Sequence, residues 1–302
     1  MKIQILKFLS MVNIYFLNLY NTFISIIKIM IFSKKLIQTK MIDSFNLSKN
    51  DKCIIIMNGP NLISDLGNNS WIYNEKNIFC VNNFSTTDIY QKLKPNFYMI
   101  SDPAYWEQNP GDFLLDYRKK IYQSMINKTN WSLNFFVPHQ SFNNLNKMEI
   151  FNKKNIKPIK FNQTAITGFK IFRELCYRIN LGTPTPNNVL IPALINAINL
   201  GFKEIYIVGT DHSMFKNVSV GEDNILYKDG HHFYGKGQRR KLYSYKYING
   251  YVNDSVSLKM SEYLMSAAIL FESHELINDY AKTENIKIIN LTKESYIDSY
   301  EK

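Results

Sequence analysis

Residues 52–62 read KCIIIMNGPNL, a run of apolar residues that stops at Asn58-Gly59-Pro60-Asn61. Such a run is suited to burial, and the glycine, proline and two amides at its end form either a tight turn or a cradle for a ligand. The same chemistry recurs where other apolar runs stop, at Asn82-Asn83, Ser101-Asp102-Pro103, Pro138-His139 and Gly209-Thr210-Asp211-His212. A carboxamide both donates and accepts, so clustered asparagines can hold phosphate oxygens, ribose hydroxyls and a base edge without a metal. Gly59, with no Cβ, would let the backbone approach a ligand closely. Further along, His231, His232, Tyr227 and Tyr234 fall in a stretch rich in Tyr, Lys, Gly and Asn. Imidazole has the ordinary pKa nearest neutrality, which suits a general base. Alternatives stay open here: Asn58-Gly59-Pro60 could be a structural turn alone, Asp211 could cap a helix, His231 could stand in for His232, and His212 could be a second ligand-facing group.

These residues need a frame. Apolar runs at 53–57, 78–82, 97–101, 133–137, 204–209 and 286–291 predict strands covered on both faces, as in a parallel sheet between helices. Ligands in such sheets lie at the carboxyl ends of the strands, so the amide-rich stops would share one edge. Residues 187–201 read as a helix in which Pro192 is awkward and fits best in the first turn or at a kink. Asn187 and Asn188 at its start would offer backbone N–H groups to an anion. Residues 258–284 read as a longer helix feeding the last strand. Residues 212–256 are too irregular for core elements and read as a lid or acceptor-binding loop. The expected fold is a Rossmann-like α/β domain over 46–302, with helices on both faces and a lid at about 212–256.

Composition narrows the partners. The net charge is +11, and the first acidic residue is Asp43, so the first 42 residues carry only lysines. Such a basic excess suits nucleic acid, anionic lipid or an acidic substrate. That block is rich in Ile, Leu and Phe, and no helix-turn-helix, RNP-like or zinc-finger pattern occurs, which favours a membrane surface over nucleic acid. Within 1–45, residues 8–33 are long enough to span, yet Asn13, Asn18, Asn21 and Lys28 interrupt them. An interfacial helix is the first reading, a transmembrane helix the second, and a helix packed on the body the third. Lys34, Lys35 and Lys40 would keep the domain on the cytoplasmic face of the inner membrane, peripheral or single-pass. Cys53, Cys80 and Cys176 lie far apart, which suggests neither disulfides nor a metal knot. GxGxxG, the P-loop and D-x-D are all absent, so neither the familiar NAD and ATP sites nor a metal-held nucleotide sugar is indicated.

NGPNL, VNNF at 81–84, SDPAYW at 101–106, NLGFKEIYIVGTD at 199–211 and HHFYG at 231–235 together resemble bacterial sialyltransferases of glycosyltransferase family 42, over roughly 52–292. The pattern's start is also shared with a wider group of glycan-modifying proteins. The resemblance implies a GT-A-like single nucleotide-binding domain. It implies inverting transfer of a sialic-acid-type sugar from a CMP donor to a surface glycan or glycolipid, with no metal or other cofactor. It places Asn58 and Gly59, with Pro60 and Asn61 beside them, on the nucleotide phosphate, Asn82 on CMP, Asp211 at the end of the GxD strand, and His232 as general base. Asp102 stands where the family has an asparagine, and Ser213 where it has a lid tyrosine, for which Tyr227 and Tyr234 are the substitutes. The family's Arg-x-[ST]-Ser-Gly becomes Pro186-Asn187-Asn188-Val189-Leu190. Two other readings stay open: a non-catalytic sugar-nucleotide-binding or scaffold subunit of a glycan-assembly complex, and a pyrophosphokinase-like enzyme of the wider group. Assembly into a homo-oligomer stays open as well.

Overall fold

The computed structural model describes residues 2–35, 52–106, 112–145, 148–232, 235–242, 247–248, 251–252 and 257–302. Its centre is a sheet of seven strands. Five come first: β1 (Lys52–Ile56), β2 (Ile78–Val81), β3 (Phe97–Met99), β4 (Leu133–Pro138) and β5 (Ile156–Phe161). Then follow β6 (Glu204–Val208), the lid strands β7 (Val218–Val220), β8 (Leu226–His232), β9 (Gly235–Lys241), β10 (Tyr247–Ile248) and β11 (Tyr251–Val252), and finally β12 (Lys287–Asn290). The sheet order is β12-β6-β1-β2-β3-β4-β5, and every neighbouring pair is parallel. The expected Rossmann-like α/β architecture is therefore present.

Parallel neighbours need crossovers, and helices supply most of them: α2 (Leu62–Asn68), α3 (Ile89–Leu93), α4 (Asp112–Lys128), α5 (Phe142–Leu145), α6 (Lys170–Arg178), α7 (Leu190–Asn199) and α8 (Met260–Thr283). Successive side chains of β1 separate into two cores. Cys53, Ile55 and Met57 join a layer with Tyr177 of α6, Leu194 of α7 and Ile277 of α8. Ile54 and Ile56 join the opposite layer with Leu66 of α2, Leu93 of α3 and Ile121 of α4. This two-sided burial is why β1 reads as a continuous apolar run and not an alternating one.

All six strands expected from the sequence are present. The seventh, β5, was not expected because Lys157, Pro158 and Lys160 break its apolar run. It is an edge strand, where a proline costs no ladder bond on the open side and lysines discourage further pairing. Pro192 is the third residue of α7, in the first turn, where its missing N–H goes unneeded. The lid departs from the reading of 212–256 as irregular. Strands β7, β8 and β9 form an antiparallel sheet, and β10 pairs with β11.

The N-terminal helix α1 (Lys2–Phe32) is the one helix among the described residues long and apolar enough to cross a membrane. One polar stripe docks it on the body. Ser25, fully buried, exchanges hydrogen bonds with Thr167, donating to its carbonyl at 3.1 Å and accepting from its N–H at 3.0 Å. Thr22 accepts from the Phe169 N–H, Ser33 donates to the Leu181 carbonyl, and the Lys34 N–H donates to Asn162 Oδ1. A Cβ at Gly168 would lie 2.3 Å from Thr22 Oγ1, and Gly168 sits at φ +109°, where side chains are strained. Gly168→Ala is therefore expected to cost about 1–3 kcal/mol and to loosen α1. Trypsin should then cut after Lys28 faster than in wild type. Unchanged cleavage and stability would show that docking does not depend on this close contact.

Candidate functional site at the carboxyl edge of the sheet

Strand order reverses at β1, whose chain successors run one way to β5 while β6 and β12 lie on its other side. The loops after β1 and β6 leave this switch point, the usual place for a ligand crevice. Here they meet directly. The Gly59 N–H donates to the Gly209 carbonyl at 2.9 Å, and the Met57 N–H to that of Val208. A Cβ on Gly59 would fall 2.4 Å from Gly209 O and 2.5 Å from Asp211 Oδ1. The glycine is thus required by the protein's own crossing chain, and its N–H is engaged there. This corrects the expectation that Gly59 is free to approach a phosphate.

On the other side of β1, Asn58 Nδ2 donates to the Val81 carbonyl at 3.2 Å, which fastens the β1 loop to the end of β2. The next residue, Asn82, has a left-handed backbone with φ +50°. Asparagine tolerates that region far better than bulky residues do. The Asn82 carbonyl accepts from the buried Tyr98 hydroxyl, which holds the turn. Its side-chain oxygen is buried and has no hydrogen-bond partner among the described residues. Such an acceptor calls for a donor from elsewhere. Asn83 lies under the turn, linked to the hydroxyls of Tyr105 and Tyr117.

Asn58, Gly59, Asn82 and Asp211 therefore belong to one cluster. Pro60 and Asn61 lead from it into α2, where the Asn61 carbonyl accepts from the Asp65 N–H. The Asp211 carboxylate accepts from the N–H and hydroxyl of Ser213, closing the turn before Met214–Asn217. Asp102, at the end of β3, caps its own turn by accepting from the Ala104 N–H at 2.9 Å. Asp102 thus caps Pro103–Tyr105, whereas Asp211, for which capping was the alternative reading, closes the turn to Ser213 and leaves Ser213 at the cap position of Met214–Asn217.

Other expected residues have local duties. Asn188 Oδ1 accepts from the Leu190 N–H and so caps α7 itself. Asn187 Nδ2 reaches Ser266 of α8, while its backbone N–H donates to the Thr185 carbonyl. The anion-binding role expected of this pair is thus displaced by helix capping and helix-to-helix contact. Tyr227, expected as a catalytic hydroxyl, donates to Asp223 at 2.9 Å with the Arg239 guanidinium 4.5 Å from its ring centroid. Among the described residues, none of their hydrogen bonds reaches the strand-end cluster. The backbone of His232 ends β8 opposite Gly235. The His232 side chain and the whole of Tyr234 lie outside the described residues. Among the described residues, no group of three His, Cys, Asp or Glu side chains is placed to hold a metal ion.

Beneath the β6 loop runs a buried network that the sequence does not announce. His212, at φ +51°, places Nε2 3.0 Å from Nε2 of His274, and His274 Nδ1 lies 2.8 Å from the Tyr300 hydroxyl. All three are nearly inaccessible. Burial pulls His212 down to about 4, with Asp211 opposing, and holds His274 well below the imidazole range, with His212 adding to the effect. Asp65, 1% exposed, accepts from the Lys293 N–H at 3.3 Å, and burial raises its carboxyl. His274, Tyr300 and Lys293 come from distant stretches, so no local spacing pointed to them.

Comparison of the chain with protein-family models, with curated proteins and with solved structures finds no match.

The buried imidazoles make a pH signature. Folding lowers their proton affinity, so their contribution is fully present above the unfolded pKa of about 6.5 and is lost as pH falls from there towards 4. His212 alone is expected to cost about 2 kcal/mol by pH 5. Urea midpoints should fall across that window, and less steeply in His274→Gln. A flat profile, or an equal slope in the variant, would contradict the assignment.

Proposed function

We propose that this chain is a glycosyltransferase that binds a CMP-activated, sialic-acid-like sugar at the carboxyl edge of its sheet and passes the sugar to a glycan or glycolipid acceptor at a membrane surface. One observation carries the reading. The buried, unpartnered side-chain oxygen of Asn82 at the switch point calls for a donor, and a ribose hydroxyl or the cytosine amine would supply it. The resemblance to glycosyltransferase family 42 places the same asparagine on CMP.

In this reading His232 takes the proton of the acceptor hydroxyl. The acceptor oxygen attacks the anomeric carbon on the face opposite the nucleotide. The bond from that carbon to the phosphate oxygen breaks, the electron pair leaves with CMP, and the configuration inverts. Preorganised donors facing the leaving phosphate would stabilise its charge. Lid hydroxyls are the natural source, and with Tyr227 hydrogen-bonded to Asp223, Tyr234 becomes the first choice. The transfer would proceed in EDTA. A second reading, a subunit that binds the sugar nucleotide without turning it over, is favoured by the capping role of Asn188 and the engagement of Tyr227.

Release of CMP from a CMP-sugar separates the two. Wild-type protein should turn the donor over in EDTA, and His232→Ala should fall by at least about a hundredfold while CMP still raises its melting temperature. His231→Ala should keep most of the activity. Protein that binds CMP yet never releases it from a donor would establish the binding subunit instead.

A further inference from the structure

A long exposed apolar surface runs along α1. Outside its docked stripe, α1 exposes Phe8, Met11, Phe16, Tyr20, Phe23 and Met30, each at least 60% accessible. The loop of residues 162–169 runs beside the helix, touching it from Tyr15, whose ring meets Phe169, to Lys34, which bonds Asn162. From Tyr15 to the end of α1 at Phe32 the loop follows about 27 Å of helix, close to the thickness of a hydrocarbon core. Crossing a bilayer upright in this pose would carry irregular backbone into lipid, where its polar groups find no water.

That loop leads straight into α6. The inner face of α6 sends Cys176 and Tyr177 into the core, while Ile171, Leu175 and Ile179 face outward at 85%, 51% and 44% exposure. Spaced four residues apart, they form one stripe that the fold does not use. Lys170 stands at its head and Lys7, Lys28, Lys34 and Lys35 lie along or just beyond α1, with no carboxylate in the first 42 residues. A second copy of the chain would set those lysines against one another, whereas anionic headgroups would neutralise them.

We infer that α1 and α6 form one membrane-docking face, with α1 lying in the plane of an anionic leaflet and the Ile171–Leu175–Ile179 stripe inserting beside it. The inference adds a second element to the membrane association proposed above and does not depend on nucleotide binding or turnover. It also sets the catalytic edge close to the lipid. The C-terminal end of α1 bonds Gln140, Asn162 and Thr164, which follow β4 and β5 at their carboxyl ends. The acceptor class this placement favours is a lipid-borne glycan.

The test uses the full chain, transferred from mild detergent to vesicles and separated by flotation. Wild type should float with phosphatidylcholine–phosphatidylglycerol vesicles and more weakly with phosphatidylcholine alone. The triple variant Ile171→Gln, Leu175→Gln, Ile179→Gln alters only exposed positions, so its melting temperature should hold, while its partitioning should weaken by about tenfold or more. Flotation equal to wild type would overturn the role of α6. Proteolytic cleavage of the extreme N-terminus only after the vesicles are opened would overturn the in-plane pose. A triple variant that changes molar mass by light scattering but not flotation would assign the stripe to self-association and overturn the proposal.

Discussion

Where the sheet reverses its strand order, the chain leaving β1 must pass the chain leaving β6 at backbone contact. Gly59 meets that constraint: its N–H bonds the Gly209 carbonyl, and any Cβ would strike that carbonyl and the Asp211 carboxylate. Asn58 fixes the opposite flank by donating to the Val81 carbonyl. The β1 loop is therefore clamped on both sides, and the side chains it carries are positioned by the sheet. Rigid placement of this kind is what a ligand site needs, because binding then orders few groups.

The β6 loop is secured in turn from below. The Thr210 N–H donates to the Thr292 hydroxyl, Ser295 donates to the Thr210 carbonyl, and His212 meets His274, which in turn meets the Tyr300 hydroxyl. This buried polar network joins β6, α8 and the C-terminal segment just where the lid departs. Two imidazoles that burial holds below their ordinary range make it sensitive to acid.

Much of the fold was legible because burial on both faces leaves continuous apolar runs, and β1, β2 and β6 show them. The β5 edge was not, since Lys157, Pro158 and Lys160 obey the rules of an edge and not of a core strand. In α1 the asparagines and lysine that looked like interruptions distracted from the residues that mattered. Thr22, Ser25 and Ser33 lie on one helical face and bond the body, a stripe visible only with the partner loop in view. At the site, the strand-end amides were readable from their positions alone. Their duties were not, because capping by Asn188 and Asp102, the Asp211–Ser213 turn and the Tyr227–Asp223 bond depend on where the local backbone turns. His274 and Tyr300 left no signal, being joined to His212 only by tertiary folding.

The functional reading comes down to whether the strand-end cluster at the switch point receives a cytidine nucleotide through Asn82. Calorimetric titration of CMP, UDP, GDP and ATP into wild type and Asn82→Ala addresses this without any turnover. CMP should bind wild type selectively, and the loss of a hydrogen bond to Asn82 should weaken it by about tenfold with the fold intact. Equal CMP affinity in the variant, or a wild type that binds none of the four, would contradict the assignment of this edge as a nucleotide site.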